Sequence, residues 1–188
     1  MRIGVMGGKG SFSEEAGRTY AKKWLKSKKN TLDYLVSAEN VLSGLEKGEI
    51  DIGIFPIENS NGGIVIEAVY AMAKHNFSIK KIFEIDVHHN LLVKKGISAS
   101  QLKTIVSHDQ AIKQCRMYLR RKWPDAKIEA YSDTAVAAKD LAEGKLPSSV
   151  AVIASRNAAQ AYKLDILEES IQDLKFNYTS FIAAEKLR

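Results

Sequence analysis

One pattern runs through this chain twice, and it limits the folds open to it. "RIGVMG" (2–7) is apolar and ends in glycine, as a buried strand does. "SFSEEAGRTYAKKWLKS" (11–27) reads as a helix: Ser11 or Ser13 can cap it, Glu14 and Glu15 sit in its first turn, and lysines crowd its last turn. "TLDYLVS" (31–37) alternates as a strand, "AENVLSGLEKGEI" (38–50) is a helix closing near Gly48, and "DIGIFPIENS" (51–60) is a strand with Pro56 near its end. The order returns over 103–158. "KTIVSH" (103–108) is a strand, and 109–123 a helix capped by Asp109 and stopped before Pro124. "KIEAYSD" (127–133) is a strand, 134–146 a helix closing near Gly144, and 148–158 a strand and its exit. Trp24 and Trp123 fall at matching helix ends.

A repeated β-α-β-α-β unit predicts two α/β subdomains with mainly parallel sheets covered by helices. Between the repeats, 62–79 reads as a helix and its exit. "KKIFEIDVHHNLLVKKG" (80–96) reads as one long strand leaving the first subdomain for the second. The last segment, "SFIAAEKL", returns to close the first. The expected division is therefore 1–80 with 159–188, and 81–158. Ligands of open α/β sheets sit beyond the carboxyl ends of strands. That directs attention to Gly7–Ser13, Glu58–Gly63, Ser107–Gln110, Asp133–Thr134 and Ala154–Ser155, which a single interdomain cleft would serve.

Composition narrows the function classes. The net charge is +6, with the excess in "KKWLKSKK" (22–29) and "RMYLRRKW" (116–123). Such segments attract anions, but a solvated helix face is the commoner outcome, and no nucleic-acid-binding signature accompanies them. One cysteine, Cys115, cannot form an internal disulfide, and the N-terminus lacks a signal-peptide core. No apolar run approaches the length of a membrane span. The expectation is a cytoplasmic protein with no membrane or nucleic-acid partner.

Several motifs invite chemistry. "GGKGSFSEE" (7–15) sets glycines and a helix N-terminus after a strand, which suits an anion such as a carboxylate; the residue order is not that of a P-loop. A tight turn without a ligand explains it equally well. "PIENSNGG" (56–63) gathers polar groups at a strand end, as turn chemistry alone also would. His88 and His89 are adjacent on a strand and point to opposite faces, so no metal is expected. Cys115 lies inside a helix and reads as packing. In "FNYTSF" (176–181), Asn177-Tyr178-Thr179 spells a glycosylation acceptor, which a cytoplasmic chain would not use. An edge strand or a working site remains. A threonine hydroxyl in a dry site can donate a hydrogen bond to a leaving oxygen.

Seven segments in register, "GSFSEEA" (10–16), "FPIENSNGGIV" (55–65), "HNLL" (89–92), "SHDQAIKQC" (107–115), "DTAVAA" (133–138), "AVIAS" (151–155) and "FNYTSF" (176–181), resemble the prephenate dehydratase family. The resemblance implies two α/β subdomains with a type II periplasmic-binding-protein-like architecture, usually a homodimer, without metal or cofactor. It implies conversion of prephenate to phenylpyruvate in phenylalanine biosynthesis, with Thr179 assisting departure of the ring hydroxyl. Ser11, Ser13, Asn59, Ser60, Ser107, Gln110, Thr134, Asn177, Ser180 and Phe181 would bind the substrate. Relatives often carry a C-terminal amino-acid-binding domain, so feedback control through such a domain is not expected within this chain, although a separate regulatory chain could supply it. Gly7-Gly8 replaces the family's Gly-Pro, and Asp109 its proline; both are minor. Ser180 replaces an arginine. A charge-assisted hydrogen bond is worth roughly 1.5–3 kcal/mol, about one to two decades in rate or affinity. Reduced or altered turnover is therefore expected, with Arg156 or Lys9 as substitute cations and Ser180→Arg expected to raise activity. The alternatives are a prephenate decarboxylase and a non-catalytic ligand-binding or regulatory homologue.

Overall fold

The computed structural model describes residues 1–25 and 29–187; the end of the expected helix 11–27 and positions 26–28 of the basic segment 22–29 lie outside them. The chain folds as β1 (Arg2–Val5), α1 (Phe12–Trp24), β2 (Thr31–Tyr34), α2 (Ala38–Lys47), β3 (Ile52–Asn59), β4 (Gly63–Ile64), α3 (Ile66–Lys74) and β5 (Phe77–Asp86). It continues as β6 (Asn90–Val93), β7 (Thr104–Ser107), α4 (Asp109–Gln114), α5 (Arg116–Lys122), β8 (Lys127–Ala130), α6 (Thr134–Ala142), β9 (Val150–Ala154), α7 (Arg156–Tyr162), β10 (Asp165–Glu168) and β11 (Tyr178–Lys186). Two units result: Met1–Asp86 with Asn177 onward, and Val87–Phe176.

The repeat extends further than its sequence signal. The first sheet has the order β2-β1-β3-β11-β5, with β4 paired to β3, and the second β8-β7-β9-β6-β10. Position by position these correspond. In each, one strand runs against the other four: β11 between β3 and β5, and β6 between β9 and β10. Each inserted strand follows a crossing of the chain between units. β11 is thus a central strand, and the edge-strand reading of 176–181 is overturned.

The units divide at 86/87 and 176/177 rather than at the expected 80/81 and 158/159. Hydrogen bonding is the reason. All of β5 pairs with β11, from Phe77↔Lys186 to Asp86↔Tyr178, and β10 pairs with β6. The expected single strand 80–96 is two strands in different sheets, because apolar alternation continues across the crossing and does not mark a change of sheet.

Local chemistry explains the helices. Ser11, rather than Ser13, caps α1: its Oγ accepts from the Glu14 N–H at 3.2 Å. Ser37 caps α2, which ends on Gly48 in the left-handed region (φ 74°). Asp133 caps α6 through the N–H groups of Ala135 and Val136. The expected helix 109–123 is broken at Cys115, and its cap is the ring of His108, not Asp109. The Asp173 carboxylate, remote in sequence, accepts from the N–H groups of Met117 and Tyr118, each at 2.8 Å, while the Asp173 N–H bonds the Gln114 carbonyl. It starts a second helix in mid-segment.

The first sheet is covered on both faces. Ile3, Val5, Ile54, Phe83 and Phe181 pack with Ala16 and Tyr20 of α1 on one. Phe55 and Ile182 pack with Val41 and Leu42 of α2 and Ala68 of α3 on the other. These two layers decide which way each residue of β11 faces.

Candidate active site

β11 meets the end of β3 with Thr179 opposite Asn59 and Ser180 opposite Glu58. Asn59 Nδ2 donates to Thr179 Oγ1 and to Asn177 Oδ1, each at 2.8 Å. The amide orientation is set by its other end, where Oδ1 accepts the Asn61 N–H at 3.0 Å, and a backbone N–H can only donate. Since Thr179 Oγ1 accepts from Asn59, its own hydrogen is left to donate, and it meets no acceptor among the described residues. Thr179 is 9% exposed and Asn177 fully buried. Ser60 completes the clasp: its Oγ accepts the Tyr178 N–H at 3.0 Å and its N–H bonds the Tyr178 carbonyl at 2.8 Å. Asn59 and Ser60, expected as substrate ligands, hold the start of β11 in place.

Thr179 shares its sheet face with Phe181, Phe83 and Ile85, the α1 side. Phe181 itself is core, 1% exposed and stacked on Phe83 at 6.0 Å between ring centres. The Gly7–Ser13 turn opens α1 on this same side. Ser11 and Ser13 are buried there. Gly7 has φ 135°, and a Cβ on it would lie 2.6 Å from Ser11 Oγ. Glu14 is 4% exposed; its carboxylate accepts the Gly10 N–H at 2.6 Å and binds Arg18 and the Tyr34 hydroxyl. Burial pushes its carboxyl up, but the Gly10 N–H, Arg18 and Tyr34 outweigh that and hold it below the ordinary carboxylate range. Two donors of the expected anion site, Gly10 N–H and Glu14 N–H, are therefore already satisfied within the chain. In the sequence alone Glu14 stands out only as a first-turn acid.

Ser180 faces the other way. It lies in the Ile182 layer, flanked across the strands by Glu58 of β3 and Glu84 of β5. Neither glutamate has an ion pair among the described residues. Arg156, one candidate substitute cation, is bound to Glu169 at 2.6 Å; the other, Lys9, is exposed in the α1 turn.

In the second unit Ser107 ends β7, fully buried, its Oγ donating to the Ile153 carbonyl at 2.7 Å and so tying β7 to β9. Gln110 lies in the first turn of α4, and half-buried Thr134 opens α6. His89 is buried: its Nε2 donates to Gln114 Oε1 at 2.8 Å, and burial pushes the ring below its ordinary pKa. Burial pushes the Cys115 thiol up, away from thiolate reactivity. No group of three potential metal ligands occurs among the described residues.

With this geometry, the chain matches the family model described as prephenate dehydratase over residues 3–187. The prephenate dehydratase of Methanocaldococcus jannaschii is 34% identical over 181 residues, covering 95% of this chain and 62% of that protein. Arogenate dehydratase 5, chloroplastic, of Arabidopsis thaliana is 34% identical over 182 residues, covering 97% and 41%. The chain thus spans between two-fifths and two-thirds of the length of these relatives. A crystal structure of prephenate dehydratase from Arthrobacter aurescens in complex with L-Phe superposes with a TM-score of 0.88 at 27% identity, covering all of this chain and 60% of that one. A putative methionine-binding lipoprotein of Bacillus subtilis superposes with a TM-score of 0.54 at 16% identity, over 99% of this chain and 83% of that one, which shows the shared type II periplasmic-binding-protein-like fold alone.

Proposed function

The chain belongs to the prephenate dehydratase family, and from that premise we propose that it converts prephenate to phenylpyruvate, releasing carbon dioxide and water. The observation that carries this reading is the Asn59–Thr179 hydrogen bond, which leaves the Thr179 hydrogen to donate. In the reaction, the bond from the ring to its carboxylate breaks and that electron pair enters the ring. The bond to the ring hydroxyl breaks on the opposite carbon, and one proton taken up from solvent makes the leaving oxygen water. Aromatisation drives the exchange, so a single well-aimed donor at the departing oxygen is the main demand on the protein. Thr179 is that donor, and Asn59 and Asn177 hold it. Ser11, Ser13 and Ser60 supply polar contacts beside it.

Ser180, where the family has arginine, favours a competing reading as a decarboxylase or a non-catalytic binding homologue. Its position on the face away from Thr179 supports retained turnover instead. We also place the protein in the cytoplasm as a homodimer. A buried free cysteine supports the compartment, and the exposed apolar side chains of Ile64, Ile66 and Tyr70 on β4 and α3 support a self-association surface.

The test is turnover of prephenate, followed as phenylpyruvate, in the unaltered protein and in Thr179→Ala. The expected result is formation of phenylpyruvate that falls about a hundredfold or more in the variant. Prephenate consumed without phenylpyruvate would indicate the decarboxylase, and binding without consumption the non-catalytic homologue.

A further inference from the structure

The basic segment 116–123 takes no part in the site above, yet it is not simply a solvated helix face. With α4 and the edge strand β8 it lines an open pocket of about 560 Å³, within the size range of small-ligand pockets. Ile112, Leu119, Trp123 and Ile128 supply its apolar lining, and Lys113, Arg116 and Arg120 its cationic groups. No carboxylate lines it. The two arginines are four residues apart and share one helical face. Neither has an ion pair among the described residues, whereas the neighbouring Lys113 is bound to Asp109 at 3.1 Å. The helix macrodipole accounts for Arg120, Arg121 and Lys122 in the last turn of α5. It does not account for Arg116 in the first turn, nor for an apolar lining beside two uncompensated guanidinium groups.

We propose that this pocket binds an aryl carboxylate, its ring against Trp123 and Ile128 and its carboxylate between Arg116 and Arg120. A planar guanidinium grips a carboxylate through paired N–H donors, and an adjacent apolar wall strengthens the attraction by displacing water. The site lies wholly within the second unit. None of the residues assigned to catalysis lines it, so it stands independently of the proposed reaction.

Trp123 provides the readout, since its indole N–H donates to the Tyr118 hydroxyl at 3.1 Å and so reports on this locality. The probes are 3-phenylpropanoate and its neutral amide, titrated into ¹⁵N-labelled full-length protein. The carboxylate is expected to shift the Trp123 indole resonance and leave that of Trp24 in place. The amide should bind about tenfold more weakly. The double variant Arg116→Gln with Arg120→Gln should reduce carboxylate affinity to that of the amide without altering prephenate turnover. Thr179→Ala should leave the Trp123 shift intact. A motionless Trp123 resonance, equal affinity for acid and amide in the unaltered protein, or loss of the shift in Thr179→Ala would overturn the proposal; the last would mean that the probe occupies the catalytic site.

Discussion

Replacing Ser180 with arginine would set a guanidinium in a row with Glu58 on β3 and Glu84 on β5, both directly opposite it. An opposite-charge pair across neighbouring strands contributes roughly 0.2–1 kcal/mol. Both glutamates are exposed, so each pair belongs in the lower half of that range, and ordering the long side chain offsets part of it. A net gain of about 0.2–0.8 kcal/mol follows, equivalent to roughly 0.5–3 °C in Tm for a chain of this size. The assay is thermal unfolding of Ser180→Arg in low and in high salt. The gain should shrink in high salt, where the screening length falls to about 3 Å, and should vanish when Glu58 and Glu84 are both glutamine. Kinetics supply the second arm. Thr179 and residue 180 face opposite sides of the sheet, so KM for prephenate should stay within about twofold, with any gain in rate confined to kcat. A tenfold fall in KM without a rise in Tm would refute the reasoning. It would mean that the guanidinium leaves the two glutamates and reaches the substrate.

Asn59→Ala should lower kcat while leaving Thr179 in place, because the hydroxyl loses the donor that orients it. It should also cost about 1–3 kcal/mol in a denaturant titration, since the buried Asn177 Oδ1 loses its Asn59 partner. His75 bridges Glu46 and Glu39 at 2.8 and 2.9 Å, and those two hydrogen bonds raise its pKa. Its contribution to stability is therefore complete below the unfolded value near 6.5 and is lost as pH rises through the raised folded value. Tm measured across that window should decline in the unaltered protein, and His75→Gln should remove that part of the slope. Gly7→Ala forces a Cβ against Ser11 Oγ at a φ of 135°. It should destabilise by about 1–3 kcal/mol and raise KM for prephenate through displacement of the Ser11–Ser13 turn.

Much of the fold was legible because it rests on local chemistry. Ser11, Gly48 and Gly144 mark helix ends by properties of a single residue, and the repeat is visible because each unit spells its own strand-helix order. Misreadings arose where a distant residue intervenes. Asp173 breaks the helix at Cys115 from 58 positions away, and no nearby breaker announces it. Likewise β10 and the outer part of the second sheet follow from pairing with β6, a partner far off in sequence.

The candidate site divides in the same way. Thr179 and its flanking Asn177 stand in a recognisable motif, so their importance could be read from the chain alone. What they touch could not. Asn59 reaches Thr179 across 120 positions, and the register between β3 and β11 depends on an extra residue in β3 opposite the Ser180–Phe181 step. That register, together with the helices covering each face, turns Thr179 toward α1 and Ser180 toward two glutamates. The amino-acid sequence by itself determined the repeated units and the residues available for chemistry, because periodicity and capping are short-range. Only the tertiary structure decided which of those residues share a face, because facing depends on hydrogen bonding between strands that lie far apart in the sequence.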